Sequence, residues 1–87
     1  MRRAAKRDSN EKGIVAELRK MGAYVRHLND PDIPDLLVGM NKRWILIEVK
    51  TPTGTLQAGQ VKFFHEANAH GLPVAVVRSI TDLYELP

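Results

Sequence analysis

Apolar positions along the chain follow two periods, and each change of period marks an element. Over residues 9–21, Ile14, Val15, Leu18 and Met21 fall on one stripe at about 100° per residue, which predicts a helix. Asp8 can cap it and Gly22 ends it. AYVRHL, residues 23–28, predicts a strand, and NDPDIP with its two prolines predicts a loop. Residues 35–39 and 44–50 predict two strands around the turn MNKR, and TPTG is a break. Residues 56–70 predict a second helix, capped by Thr55 and closed by Gly71. PVAVVRS predicts a buried strand and ITDLYEL a short terminal helix. The order αβββαβ is that of one α/β domain over residues 1–87, a mixed sheet flanked by helices behind a basic, flexible start at residues 1–8.

The central strands place charge where sheet core is expected. If Met40 faces Arg43 across the turn, Gly39 faces Trp44 and Asp35 faces Glu48, a register that two- and four-residue loops share. Opposed residues have Cβ atoms roughly 4.5–5.5 Å apart. Lys50, two residues beyond Glu48, points to the same face, while Ile45, Ile47 and Val49 point to the core. Two adjacent carboxylates repel, and in an enclosed site one is pushed towards protonation unless a cation relieves them. Magnesium takes one or two carboxylates plus waters and phosphate. It lowers the pKa of a bound water and polarises a phosphoryl oxygen. A nearby lysine can orient the attacking water or stabilise charge on the phosphate. These parts suit phosphodiester hydrolysis. The same residues also fit a solvated Glu–Lys pair and an Asp that only opens a strand after Pro34, and geometry leaves both readings open.

Composition adds a sign and a size. The chain has 87 residues, 44% hydrophobic and 26% charged, with no Cys, so disulfides and thiolate zinc sites are excluded. A chain this short buries only about 60–65% of its unfolded surface, so dimerisation would help its stability. The net charge is +3, and Arg2, Arg3, Lys6 and Arg7 crowd the start. That suits an anionic partner such as nucleic acid, and equally a solvated terminus. The start has no signal-peptide pattern and no apolar run is of membrane length, so no membrane partner is expected.

Pro34–Asp35, then twelve residues, then Glu48–Val49–Lys50 resembles the PD-(D/E)xK nuclease signature. With NEKGIVAELRKMGAYVRHLN, PDLLVG, ILIEVKTPTGTLQAGQVKFFHEANAHG and PVAVVRSITDL, the chain from Ser9 to Leu83 resembles the VRR-Nuc family, the virus-type replication-repair nucleases. The resemblance implies a restriction-endonuclease-like αβββαβ core that cuts DNA with magnesium or manganese. Small stand-alone members, including phage ones, resemble homodimeric enzymes acting on branched DNA such as Holliday junctions. Eukaryotic members are fused to larger repair proteins that cut flaps, extensions this chain is expected to lack. The expectation is therefore an endodeoxyribonuclease in the cytoplasm of a bacterial host, if phage or prophage encoded, with a possible helicase or replication partner. The alternatives are a flap or nicking nuclease that needs a partner, and a catalytically silent nucleic-acid-binding module.

The resemblance makes Asp35 and Glu48 metal-binding carboxylates and Lys50 the catalytic amine, with the backbone carbonyl of Val49 a further metal ligand. Glu11 matches the acidic residue of the family's first helix. Periodicity favours it over Glu17, because Glu11 sits at the centre of the apolar stripe and Glu17 about 100° to one side. Asp8-x-x-Glu11 also has capping-box spacing, so metal ligand and cap both stand, and one residue could do both. Gln60 matches a glutamine near the family's active site. It shares a face with Val61 and Phe64, a polar residue on a buried stripe. Its amide could hold a water or a phosphate oxygen, orient Lys50, or bond to backbone. Gln57, one turn earlier, is expected at the solvent edge.

Other residues carry less. His27, His65 and His70 lack zinc spacing and are expected at the surface or near DNA. Asp30 and Asp32 alternate like calcium-loop residues, but the prolines argue against that, and they are expected to line the loop above the site. Arg26, Lys42, Arg43, Lys62 and Arg78 are candidate phosphate contacts, each no better alone than a solvated charge. No base-reading motif is visible, so recognition by shape and backbone is expected. Trp44 can stack on a base or pack, and packing is the simpler reading.

Overall fold

Two glycines decide where the helices stop. In the computed structural model, which describes residues 10–87, helix α1 runs Glu11–Lys20 and helix α2 Ala58–Ala69. Gly22 has φ 92° and Gly71 φ 68°, the left-handed region where an L side chain is strained. Each closes a Schellman motif. Ala23 N–H donates to the Leu18 carbonyl and Gly22 N–H to that of Arg19, and Leu72 and Gly71 repeat this on Ala67 and Asn68.

Both helices start later than the apolar stripe suggested. Asn10, not Asp8, occupies the cap position of α1, so Glu11 is the first helical residue and is not at the third position a capping box needs. Asp8 and the basic residues Arg2, Arg3, Lys6 and Arg7 lie outside the described residues. The cap of α2 is Gln57 rather than Thr55. Gln57 accepts from the backbone N–H of Gln60, and the Gln60 side chain accepts from the Gln57 N–H.

Four strands form one mixed sheet in the order β1–β2–β3–β4: β1 is Tyr24–His27, β2 Leu36–Met40, β3 Arg43–Val49 and β4 Val74–Val77. The first three are antiparallel, and β3 pairs β4 in parallel, so the chain must cross over between them, and α2 is the crossover. The expected register holds, with Met40 opposite Arg43, Gly39 opposite Trp44 and Leu36 opposite Ile47. The loop is the two-residue one. Asn41 (φ 55°) and Lys42 (φ 65°) are both left-handed, as a type I′ turn requires.

One sheet face is the core. Val25, Leu36, Val38, Ile45, Ile47, Val49 and Val77 pack with Ile14, Val15 and Leu18 of α1 and with Leu83 of the 3₁₀ helix Ile80–Glu85. The other face is less covered than expected. β4 is half-buried except at Val77, and Ala67 is the buried residue of α2, with Val61 exposed and Phe64 half-buried. The second stripe is therefore not a buried one, because α2 packs on the β4 side of that face and leaves the β1–β2 side to solvent. Among the described residues no helix is long and apolar enough to cross a membrane.

Lys42 holds a conformation that glycine adopts freely. Lys42→Gly is expected to raise the melting temperature by about 3–6 °C, from roughly 0.5–1 kcal/mol of relieved backbone strain. A thermal melt that falls instead would show that the lysine side chain stabilises the turn.

Candidate active site

Asp35, Glu48 and Lys50 lie where the ladder of the central hairpin ends. Extending the register past Leu36 would set Asp35 opposite Glu48 and Pro34 opposite Val49. Pro34 has no N–H to give the ladder, so pairing stops there. The Asp35 carboxylate takes over instead. Its Oδ2 accepts from the Val49 N–H at 2.9 Å, while the Asp35 carbonyl accepts from the Leu28 N–H at 2.7 Å. Asp35 thus joins β1, β2 and β3 at one end of the sheet.

Glu48 is only 2% exposed, on the face opposite the core. Its Oε2 accepts from Gln60 Nε2 at 2.9 Å and lies 3.7 Å from Lys50 Nζ. A carboxylate taken out of water needs such partners, since an unpaired buried charge costs several kcal/mol. Gln60 serves two elements at once. Its Oε1 accepts from the Gln57 N–H at 2.8 Å and starts α2, while its Nε2 fixes Glu48. Of the alternatives expected for this amide, the backbone bond is present, and its other atom bonds to Glu48.

Glu11 is 3% exposed and belongs to the inward stripe of α1, as the periodicity indicated; Glu17 lies to one side, where Tyr84 donates to it. The first turn of a helix is favourable for a carboxylate. His27 Nε2 stands 3.3 Å from Glu11 Oε2, a contact that sequence spacing could not signal because the residues lie on different elements. Asn10 was also missed. Its Nδ2 donates to the carbonyls of Lys50 at 3.0 Å and Arg78 at 3.1 Å, tying α1 to the ends of β3 and β4. The only sequence signal was an Asn beside the helix start.

The expected phosphate contacts fare differently. Arg26, Lys42, Arg43 and Lys62 are exposed. The Tyr24 hydroxyl accepts from Arg26 at 3.1 Å and raises the guanidinium pKa further, so Arg26 stays cationic at any working pH. Arg78 is occupied as a clamp, its Nη1 donating to the carbonyls of Thr51 and Gly54 and fixing the turn after Lys50. His65 and His70 are exposed, and Asp32 abuts the first turn of α2, its Oδ1 closing on Gly59. Lys62 and Glu66 line the same shallow cleft as Asp32.

Among the described residues no three or more His, Asp or Glu side chains come together as a group that could hold a metal ion, so Glu11, Asp35 and Glu48 do not form one by themselves. The donors at this end of the sheet are carboxylate oxygens and backbone carbonyls, a hard set that suits a magnesium-like ion keeping several waters.

The family model of the VRR-NUC domain matches residues 3–80. A solved VRR_NUC domain structure is similar to this chain with a TM-score of 0.75 and 24% identity, over 86% of this chain and 86% of that one, a likeness of fold. No curated protein matches.

Gln60→Ala removes a helix cap and a bond to a buried carboxylate together. It is expected to destabilise the domain by about 1–3 kcal/mol in urea unfolding. A loss below about 0.5 kcal/mol would mean that Glu48 finds another partner.

Proposed function

The chain belongs to the VRR-NUC family, nuclease domains of the PD-(D/E)xK type that are generally divalent-metal dependent, and on that premise we propose that it is a magnesium- or manganese-dependent DNA endonuclease acting on branched DNA as a homodimer. The observation that carries this reading is the cluster at the end of the hairpin. Asp35 is oriented by the Val49 N–H, and Glu48 is buried between Gln60 and Lys50.

Asp35, Glu48 and the Val49 carbonyl would hold the metal, with Glu11 completing the set from α1. The cation supplies Lewis acidity, polarising a phosphoryl oxygen and neutralising the carboxylates. Lys50 Nζ orients the attacking water and stabilises negative charge that develops on the phosphate. Water oxygen bonds to phosphorus as the ester P–O bond breaks, and a proton from the water ends on the leaving oxygen. Gln60 holds Glu48 in place, and Asn10 and Arg78 hold the backbone carbonyls of Lys50 and Thr51. Resolving a junction takes two coordinated cuts, which a two-fold dimer supplies.

The test is cleavage of linear duplex, single strand, flap and four-way junction with magnesium, manganese or EDTA. Paired symmetric cuts in the junction, metal-dependent, are expected. Cutting restricted to flaps would point to a flap nuclease that needs no partner. No cleavage of any substrate, with binding retained, would sink the enzyme reading. Lys50→Ala is expected to lose about 10²–10³-fold or more in rate while binding DNA nearly as before, because Lys50 acts on the transition state. Cutting at the wild-type rate would remove that role. Glu11→Ala is expected to raise the metal concentration needed for half-maximal cutting and to shift the melting temperature by only a few degrees. A lowered melting temperature with unchanged metal dependence would leave Glu11 a purely structural residue.

A further inference from the structure

The sheet face that carries Glu48 does not end at the carboxylates. The register orders it in rows. Asp35 and Glu48 mark one end, Arg26, Leu37, Leu46 and Val74 come next, and Tyr24, Gly39 and Trp44 form the hairpin end. Successive rows lie about 6.7 Å apart, which puts the aromatic row about 13 Å from Glu48. Tyr24 is 53% and Trp44 55% exposed, although both are large rings on sheet strands. They meet edge-to-face over Gly39, ring centroids 6.0 Å apart, and a Cβ on Gly39 would come within 3.0 Å of the Trp44 ring. The glycine therefore lets the indole lie down across the sheet and leaves ring surface facing outward.

We propose that Tyr24 and Trp44 form a stacking platform for unpaired bases of the DNA strand whose backbone runs along this face to Glu48 and Lys50. The inference rests on the nuclease reading for the path of that strand. Charge complementarity selects the occupant. Arg26 stands in the row between the rings and the carboxylates, Lys42 and Arg43 flank the hairpin tip, and β1, β2 and β3 carry no acidic residue except Glu48. A polyanion with flat, weakly solvated groups fits that combination. Base stacking on aromatic rings is sequence-tolerant, because every base has a π-face, whereas paired bases inside a duplex cannot reach the rings. At about 3.4 Å per nucleotide of a stacked strand, the platform would engage bases roughly four nucleotides from the scissile phosphate. The substrate class is then DNA with unpaired nucleotides near the cut, which selects branched and frayed structures over continuous duplex without reading sequence.

Trp44 is the only tryptophan, so its fluorescence reports on the platform directly. The protein is titrated in EDTA, which stops cutting, with a labelled single strand and with the same strand paired in a duplex. Trp44 emission and the anisotropy of the label are read together. The single strand is expected to quench Trp44 and the duplex to leave it nearly unchanged. Tyr24→Leu is expected to weaken single-strand binding about tenfold and duplex binding less than twofold, with Tyr24→Phe close to wild type. Anisotropy showing single-strand binding without quenching, or equal quenching by both DNAs, would overturn the platform. So would emission that shifts with protein concentration alone, which would assign the face to a second copy of the chain. Cutting without quenching removes the platform and keeps the nuclease; quenching without cutting of any substrate does the reverse.

Discussion

The arrangement depends on one hydrogen bond made where a ladder has to stop. A β-ladder that meets a proline loses a donor and must stop. Here it stops at Pro34, which is fully buried, and the next residue's side chain takes the N–H of Val49 that the ladder leaves over. The Asp35 carboxylate is thereby aimed by backbone geometry rather than by its own rotamer preference. The same dipeptide ends the ladder and begins the candidate site, so one stretch of chain sets both.

Glu48 follows from the period of the strand. Ile45, Ile47 and Val49 must face the core, which forces Glu48 to the other face beside α2. A buried carboxylate is tolerated there because a helix start lies within reach. Gln60 is spent on the cap through one amide atom and on Glu48 through the other. The ends of β3 and β4 are held through carbonyls, by Asn10 from α1 and by Arg78 from the strand's own end. Carbonyl ties fix the backbone of Lys50 while leaving its ammonium available to Glu48 and to a substrate.

Much of this was legible because period-2 patterning is rigid. A one-residue slip would have turned Ile45, Ile47 and Val49 outward, so the register from Leu36–Ile47 to Met40–Arg43 could be read from the apolar positions. The inward position of Glu11 was legible for the same reason at a helical period. Caps were not legible, because Asp8, Asn10, Thr55 and Gln57 are all acceptable near a helix start and tertiary bonds choose among them. Burial of α2 was overestimated because a stripe shows which side of a helix faces inward and not how far the helix covers the sheet. The clamp made by Arg78 and the Glu11–His27 contact join residues distant in sequence, where no local pattern applies.

The two sheet faces divide the work unequally, and the inequality is informative. The core face is closed by α1 and the 3₁₀ helix, and its buried residues are almost all aliphatic. The other face is covered only towards β4, and it keeps a glycine, two exposed rings and an arginine where aliphatic residues would stabilise more. A domain of this size has little stability to spare. Leaving half a sheet uncovered forgoes burial worth about 25 cal/mol for each Å² of apolar surface. A long, flat substrate needs an open surface leading to the carboxylates, and covering this face with a helix would block it. On the proposed reading, the uncovered side and the buried Glu48 belong to one design: a core compressed onto a single face so that the other can meet DNA.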